Sequence, residues 1–270
     1  MIGFGELRKL SVQWQVDLAA VEAAYATDWL VKGIYDHPVL SPALVLTGSA
    51  ALRYAYSAAY PETAAPEFRR VLELDEDALR AALREAARTA GQASGLQFML
   101  SDVERGAAKV EYVGPLGRRS AAQPKILLAI ISGPTHLAPL RQPLVHPFGD
   151  ACRATVSAIA LEEFIAERAA RLRASPRAHD VYDLWYAWQL AHDRIDLAAT
   201  RALIRQIAQA RNTPLPAAGL FSSAHRDILA RTWDTALRSI RTHPAFDQVE
   251  TDLTGALRVL WPVQDDAAGP

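Results

Sequence analysis

The spacing of apolar residues changes character near the middle of the chain. Up to residue 131 there are short apolar runs bounded by glycine, proline and polar residues, which is typical of strands between helices. Beyond Leu161 the apolar residues follow a helical period instead. The pattern predicts an α+β protein with a mixed α/β domain over residues 1–150 and an all-helical domain over 151–270.

The predicted elements follow from this pattern and from the breakers between them. In the first half, strands are expected at Ala43–Thr47, Leu72–Leu74, Leu96–Asp102, Lys109–Val113 and Lys125–Ile131, and helices at Leu10–Ile34, Ala50–Tyr56 and Asp75–Thr89. In the second half, helices are expected at Leu161–Arg173, His179–Leu190, Leu197–Ala210, Ala224–Ile240 and Gln248–Leu260.

One segment of the first half combines a strand, a Gly-Ser turn and a helix. It reads LVLTGSAALRYAY from Leu44 to Tyr56. This order aims backbone N–H groups at a phosphate, so Gly48 and Ser49 are candidate phosphate-binding residues. The simpler interpretation is a tight turn in which Ser49 caps the helix. Arg53, one turn further along, is either a phosphate contact or, as we favour, a surface charge.

Composition excludes several classes of protein and adds no catalytic motif. Lys+Arg is 29 and Asp+Glu is 30, so no overall charge attracts the chain to nucleic acid or anionic lipid. Cys152 is the only cysteine, so no internal disulfide can form. The longest aliphatic run, Ile126–Ile131, is too short to span a bilayer. We therefore expect a soluble cytoplasmic protein with no membrane partner.

Four segments in order resemble the AbiEii/AbiGii type of nucleotidyltransferase-fold toxin. They are residues 21–56, VEYVGPLGR at Val110–Arg118, LEEFIAERAARL at Leu161–Leu172 and RAHDVYDLW at Arg177–Trp185. The resemblance implies a DNA polymerase β-like nucleotidyltransferase core, a mixed sheet with flanking helices, followed by a C-terminal helical bundle.

The resemblance also implies where a catalytic site would lie. In active members the Gly-Ser turn holds the triphosphate, and an Asp-x-Asp pair on the next strand binds Mg²⁺ with a third acidic residue from a neighbouring strand. Mg²⁺ needs hard oxygen ligands in near-octahedral geometry, and it neutralises charge on the transferring phosphates. In the aligned segment Pro61–Phe68 the two Asp positions are Ala65 and Glu67, and the third acidic position is Ala129. A single carboxylate is a poor Mg²⁺–triphosphate site.

A second acidic pair, Glu73 and Asp75, offers an alternative metal dyad. Residues two apart lie on the same face of a strand, which gives the pair suitable spacing. This register requires a long insertion after the turn, and a capping role at the start of a helix already accounts for Asp75. We therefore favour the first alignment, in which Glu67 is the remaining acidic residue.

Charged residues on two helices of the second domain form another candidate group. The resemblance places Glu167, Arg168, Asp180 and Asp183 near the site, where Arg168 stands in place of the lysine of the family. They are either a remnant of nucleotide or partner binding or, as we favour, an ion-pair network between two helices.

The favoured hypothesis is a catalytically degenerate member of the toxin family that acts as a binding or assembly module in a toxin–antitoxin or phage-defence setting. It predicts a protein partner, an antitoxin or a defence-system subunit, and neither catalysis nor a cofactor. A first alternative is an active enzyme that moves a nucleotide from an NTP to tRNA or protein with Mg²⁺. A second alternative is a sensor that binds a nucleotide without transferring it.

Overall fold

A computed structural model describes residues 1–60, 65–104, 106–117, 124–212, 221–238, 240 and 242–260. The chain separates into two compact units, Met1–Ile159 and Ala160–Pro270. The division lies later than the predicted boundary at residue 150, because the last strand of the sheet belongs to the first unit. None of the helices in the described ranges is both long and apolar enough to cross a membrane.

The first unit is built on one mixed sheet of seven strands. In chain order they are β1 Leu44–Thr47, β2 Glu67–Arg70, β3 Gln97–Glu104, β4 Ala107–Val113, β5 Lys125–Ser132, β6 Leu140–Pro143 and β7 Thr155–Ala158. Their spatial order is β3-β4-β5-β2-β1-β7-β6. β2 runs parallel to β5 and β7 runs parallel to β1, whereas the other pairs are antiparallel.

Helices flank this sheet and complete the first unit. They are α1 Phe4–Trp14, α2 Leu18–Asp36, α3 Leu40–Ala43, α4 Gly48–Ala51 and α5 Glu76–Ser94, with a π-helical turn at Leu52–Tyr56 directly after α4. The second unit contains α6 Leu161–Ala174, α7 Ala178–Ala191, α8 Leu197–Ala210, α9 Ser223–Ala236 and α10 Phe246–Leu260, and no strand occurs in its described part. The predicted α+β class is confirmed.

The core of the first unit lies on the helix-covered face of the sheet. Alternate residues of β4 and β5, among them Val110 and Leu128, are buried there. Gly33 lets α2 approach α5 closely, since a Cβ at this position would lie 2.5 Å from the carbonyl oxygen of Ala86. The hydroxyl of buried Tyr35 donates to the carbonyl of Ser157 at 2.7 Å and accepts from the amide of Leu46 at 3.2 Å. The α2 helix thereby fixes β1 against β7.

Several predicted elements were wrong in extent or type. The single helix predicted over Leu10–Ile34 is two helices, because Gln15 adopts a left-handed conformation with φ of 55° that ends α1. Leu72–Leu74 is not a strand, and the strand of this region is Glu67–Arg70, which begins directly after Pro66. β6 and β7 were not predicted, and each has only four residues.

Candidate functional site

The Gly-Ser turn connects β1 to a short helix as predicted. Thr47 ends the strand in extended conformation, and Gly48 takes φ of 59°, a left-handed value that favours glycine. Ser49 lies inside α4, so the expectation that it caps the helix was wrong. The residue before the helix is Thr47, whose side chain makes no capping bond. A phosphate-binding role for Gly48 and Ser49 remains a prediction.

Strand pairing places Glu67 beside this turn. Thr47 pairs with Glu67 across the antiparallel β1–β2 ladder, and Glu67 pairs with Ala129 across the parallel β2–β5 ladder. The amide of Ala129 donates to the carbonyl of Pro66 at 2.9 Å, which holds this register. Neighbouring strands lie about 4.8 Å apart, and register partners project to the same face. Thr47, Glu67 and Ala129 therefore form one row at the start of the turn.

The three positions at which the resemblance implies acidic residues are occupied by one acidic residue and two alanines. Ala65 precedes Glu67 by two residues on the same run of chain, and both are exposed. The resemblance implies carboxylates at positions 65, 67 and 129, and only Glu67 supplies one. No group of three His, Cys, Asp or Glu side chains in the described ranges is arranged to hold a metal ion. Among the described residues, a single carboxylate beside the turn does not fit a Mg²⁺–triphosphate centre. Residues 61–64 of the aligned segment lie outside the described residues.

The alternative dyad does not share a strand face. β2 ends at Arg70, so Glu73 and Asp75 follow it in irregular chain. Asp75 caps α5, where its Oδ1 accepts a hydrogen bond from the amide of Ala78 at 2.7 Å. Its carboxylate thus has the helix-capping role that the sequence indicated. The spacing argument for a Glu73–Asp75 metal pair was wrong because the strand it required is absent.

Arg53 is buried, contrary to the expected surface charge. Only 4% of the residue is exposed, and its guanidinium lies over the ring of Tyr54. Its Nη1 donates to the carbonyl of Val145 at 3.4 Å, and its Nη2 lies 3.6 Å from Oδ1 of Asp28. Arg53 belongs to the π-helical turn Leu52–Tyr56, whose wider winding alters which residues face inward. A contribution of Arg53 to nucleotide binding remains a prediction. The contacts that the structure shows for Arg53 are with buried parts of the same unit.

Arg53 leads to a polar network that the sequence analysis missed. His146 lies between two carboxylates, with Nδ1 at 2.8 Å from Oδ2 of Asp28 and Nε2 at 2.7 Å from Oδ1 of Asp150. The hydroxyl of Tyr25 donates to Oδ2 of Asp150 at 2.6 Å. The Asp28 side chain is fully buried and that of His146 is 4% exposed. The network ties α2 to the chain that follows β6.

The charges of this network depend on one another. Burial alone would lower the pKa of His146, but the hydrogen bonds and charges of Asp28 and Asp150 raise it above its ordinary value. Burial would raise the pKa of Asp150, but hydrogen bonds from Tyr25 and His146 lower it. The two carboxylates therefore favour the imidazolium form of His146.

The raised pKa of His146 makes stability depend on pH. A group whose pKa is higher in the folded state contributes stability that is fully present below its unfolded pKa, about 6.5, and is lost as the pH rises through the folded value. We expect the difference in unfolding free energy between the natural protein and His146→Gln to shrink as the pH rises from 6 to 9. Urea denaturation over that range measures it, and a difference that grew with pH would contradict the assignment.

The second unit contains the ion pairs predicted between its first two helices. Nη1 of Arg168 donates to Oδ1 of Asp180 at 2.7 Å, and its Nη2 donates to Oδ2 of Asp183 at 3.0 Å. All three residues are buried, and the guanidinium also lies over the ring of Phe164. Arg171 adds a second, half-exposed guanidinium at 3.5 Å from Asp180. The arrangement joins α6 to α7. A role for Arg168 and Asp180 in nucleotide binding remains a prediction.

Comparisons with known proteins agree with this architecture. A family model described as "Nucleotidyl transferase AbiEii toxin, Type IV TA system" matches residues 29–251. Among solved structures, MenT4, the nucleotidyltransferase toxin Rv2826c from Mycobacterium tuberculosis H37Rv, is similar with a TM-score of 0.61. The alignment has 16% identity and covers 96% of this chain and 91% of that chain. No curated protein sequence matches. Because the family model spans most of the chain, this protein belongs to the AbiEii nucleotidyltransferase toxin family.

Proposed function

We propose that this protein is a catalytically degenerate member of its family, which uses the nucleotidyltransferase fold as a binding or assembly module. The observation that supports it best is the row Thr47–Glu67–Ala129 beside the Gly-Ser turn. The register joins two of the three positions at which the resemblance implies acidic residues, Glu67 and Ala129, and the third, Ala65, precedes Glu67 by two residues. The proposal therefore rests on the identity of the residues at these three positions, of which two are alanine.

The chemistry of phosphoryl transfer explains why the loss matters. Most of the catalysis comes from positioning and from metal ions that neutralise charge on the phosphates. Mg²⁺ commonly keeps several waters and is held by carboxylates together with the substrate phosphates, and the resemblance implies three acidic residues for this centre. Glu67 alone, followed in the row by the methyl group of Ala129, gives a weak and poorly directed site. We propose accordingly that the protein has no resident metal or cofactor.

The family description supports a toxin–antitoxin setting for the proposed module. A protein that retains a full core after losing catalytic carboxylates is useful through its surface, so we propose a protein partner, an antitoxin or a subunit of a defence system. Transfer RNA is less favoured as a partner, because the net charge of −1 provides no overall attraction to phosphates.

A nucleotide sensor is the second candidate function. The observation that favours it is the intact turn, with Gly48 in a left-handed conformation at the start of α4. Backbone N–H groups in such a turn attract an anion without help from a metal. This candidate predicts binding of a nucleotide that does not depend on Mg²⁺ or on Glu67.

Expression and transfer assays test the proposal. We expect that the natural chain expressed alone in bacteria does not arrest growth. We also expect that the purified protein transfers no labelled nucleotide from any of the four NTPs to tRNA or to protein in Mg²⁺ or Mn²⁺. The reason is the missing metal ligands at positions 65 and 129. Growth arrest together with labelled tRNA would establish an active enzyme and contradict the proposal.

A further inference from the structure

The two edges of the sheet differ in how well they are protected. β6, at one edge, has four residues and ends at Pro143, so it offers little backbone to another strand. β3, at the other edge, has eight residues, Gln97–Glu104, and among the described residues it pairs with β4 alone. A long edge strand presents N–H and C=O groups that can accept a further strand. β3 is therefore the edge of this sheet that is long enough to pair with a further strand.

Two arginines of α5 lie beside this edge. A shallow cavity of about 320 Å³ lies between them and the middle of β3, lined by Arg80, Arg84 and residues 100–103. Nη2 of Arg80 donates to the carbonyl oxygen of Val103 at 3.3 Å, so this guanidinium lies against the backbone of β3, and its Nη1 is 3.8 Å from the exposed carboxylate of Asp77. Arg84 is exposed, and its side chain makes no hydrogen bond or ion pair within the described part of the chain. The groove thus combines the edge strand β3 with two guanidinium groups.

The spacing of the arginines matches that of an extended chain. Arg80 and Arg84 are one helical turn apart, a rise of about 6 Å along α5. Alternate residues of a strand are separated by about 6.8 Å. Two carboxylates at positions i and i+2 of an added strand could therefore each face one guanidinium. Asp102 is the single acidic residue that lines the groove, and its carboxylate is held by Lys109 at 3.4 Å.

We propose that β3 together with Arg80 and Arg84 is a docking site for an extended acidic segment of a partner protein, which adds to the sheet as an eighth strand. The inference rests on the proposed function as a binding module and specifies its surface. Main-chain hydrogen bonds to the edge would supply affinity, and the arginines would select carboxylates at alternate positions.

Two other occupants fit the groove less well. A second copy of the chain, pairing β3 with β3 across a twofold axis, would bring the same arginines towards one another, and like charges there oppose association. An RNA strand could contact Arg80 and Arg84, but it would leave the backbone groups of the edge without strand partners. The combination of edge and charge therefore favours an acidic polypeptide.

Fluorescence anisotropy with defined peptides tests the site on the full chain. The probe is a fluorescein-labelled, end-blocked peptide, Thr-Val-Glu-Val-Glu-Val-Thr. Comparison peptides carry Gln in place of both Glu, or N-methyl groups on the amides that would face β3. We expect the natural protein to bind the acidic probe, and each change to the peptide to weaken binding at least tenfold. Hydrogen exchange at residues 100–103 should slow when the probe binds.

Matched variants assign the binding to the groove. Arg80→Ala with Arg84→Ala should weaken binding of the acidic probe at least tenfold, with Arg80→Gln and Arg84→Gln as a second pair that retains side-chain bulk. Arg88→Ala is the control, because Arg88 is exposed on the same helix but is bound to Glu85. It should leave the affinity unchanged, and thermal unfolding confirms that each variant is folded.

Several results would overturn the docking site. They are failure of the natural protein to bind the probe at millimolar concentration, equal binding by the double variants, and tighter arginine-dependent binding of a uridine oligonucleotide than of the peptide. The outcome is distinguishable from a failure of the proposed function. Nucleotide transfer by the natural protein would contradict the proposal that it is catalytically degenerate. It would not alter whether peptide binding depends on Arg80 and Arg84, which the variants test separately.

Discussion

Replacing Asp28 with alanine is expected to lower the free energy of unfolding by about 3–5 kcal/mol, the usual cost of removing one partner from a buried ion pair. Asp28 is fully buried, and it faces His146 at 2.8 Å and Arg53 at 3.6 Å. Its removal leaves the guanidinium of Arg53 and the ring of His146 without this partner in a space closed to water, together with a cavity. Urea denaturation followed by circular dichroism measures the loss.

A control on the same helix separates this effect from the general cost of altering α2. Lys32 pairs with Asp36 one turn along the helix, in a more exposed position. Lys32→Ala should change the free energy of unfolding by no more than about 0.5 kcal/mol. If Asp28→Ala cost as little as Lys32→Ala, the buried network would not have the structural role assigned to it.

Replacing Arg168 with alanine is expected to destabilise the second unit by a similar amount, about 3–5 kcal/mol. The change leaves Asp180 and Asp183 buried without the guanidinium that bonds to both. The two carboxylates would repel one another and would have lost their main cation. Urea denaturation again measures the free energy of unfolding. Amide hydrogen exchange in α6 and α7 should be faster in the variant than in the natural protein.

A combined variant separates the effect of charge on stability from the effect of packing. Arg168→Met with Asp180→Asn and Asp183→Asn removes all three charges while it keeps similar volumes. Since uncharged replacements of buried ion pairs are often neutral, this variant should be more stable than Arg168→Ala. Arg171→Ala, which removes the half-exposed guanidinium near Asp180, should cost less than about 1 kcal/mol. A combined variant less stable than Arg168→Ala would contradict the account.

The parts of the fold that could be predicted are those with strong local signals. The β4 and β5 strands alternate buried and exposed residues, and α8 has its predicted bounds, Leu197–Ala210. Asp75 was predicted as a cap from its place before a helical run, and it makes that bond. The position of Glu67 beside Thr47 required the resemblance as well, because pairing of distant strands leaves no local pattern.

The missed parts depend on contacts between distant residues. β7 is a short strand whose pairing with β1 relies on Tyr35, far away in sequence. The π-helical turn that places Arg53 inside has no breaker residue to mark it. Asp28 was a polar residue within an apolar helix, which could have indicated a buried network. Its partner His146 lies more than a hundred residues later, so the sequence did not identify it.

We propose that the row beside the Gly-Ser turn does not bind a metal–nucleotide complex. Calorimetric titration of each NTP in the presence and absence of Mg²⁺ tests it most directly. The natural protein should show no Mg²⁺-dependent heat and no Mg²⁺-dependent thermal shift. A variant with Ala65→Asp, Pro66→Leu, Glu67→Asp and Ala129→Asp should melt at a lower temperature without metal, because clustered carboxylates repel, and Mg²⁺ should restore part of the loss. Mg²⁺-dependent NTP binding by the natural protein that disappears in Glu67→Ala would contradict the account.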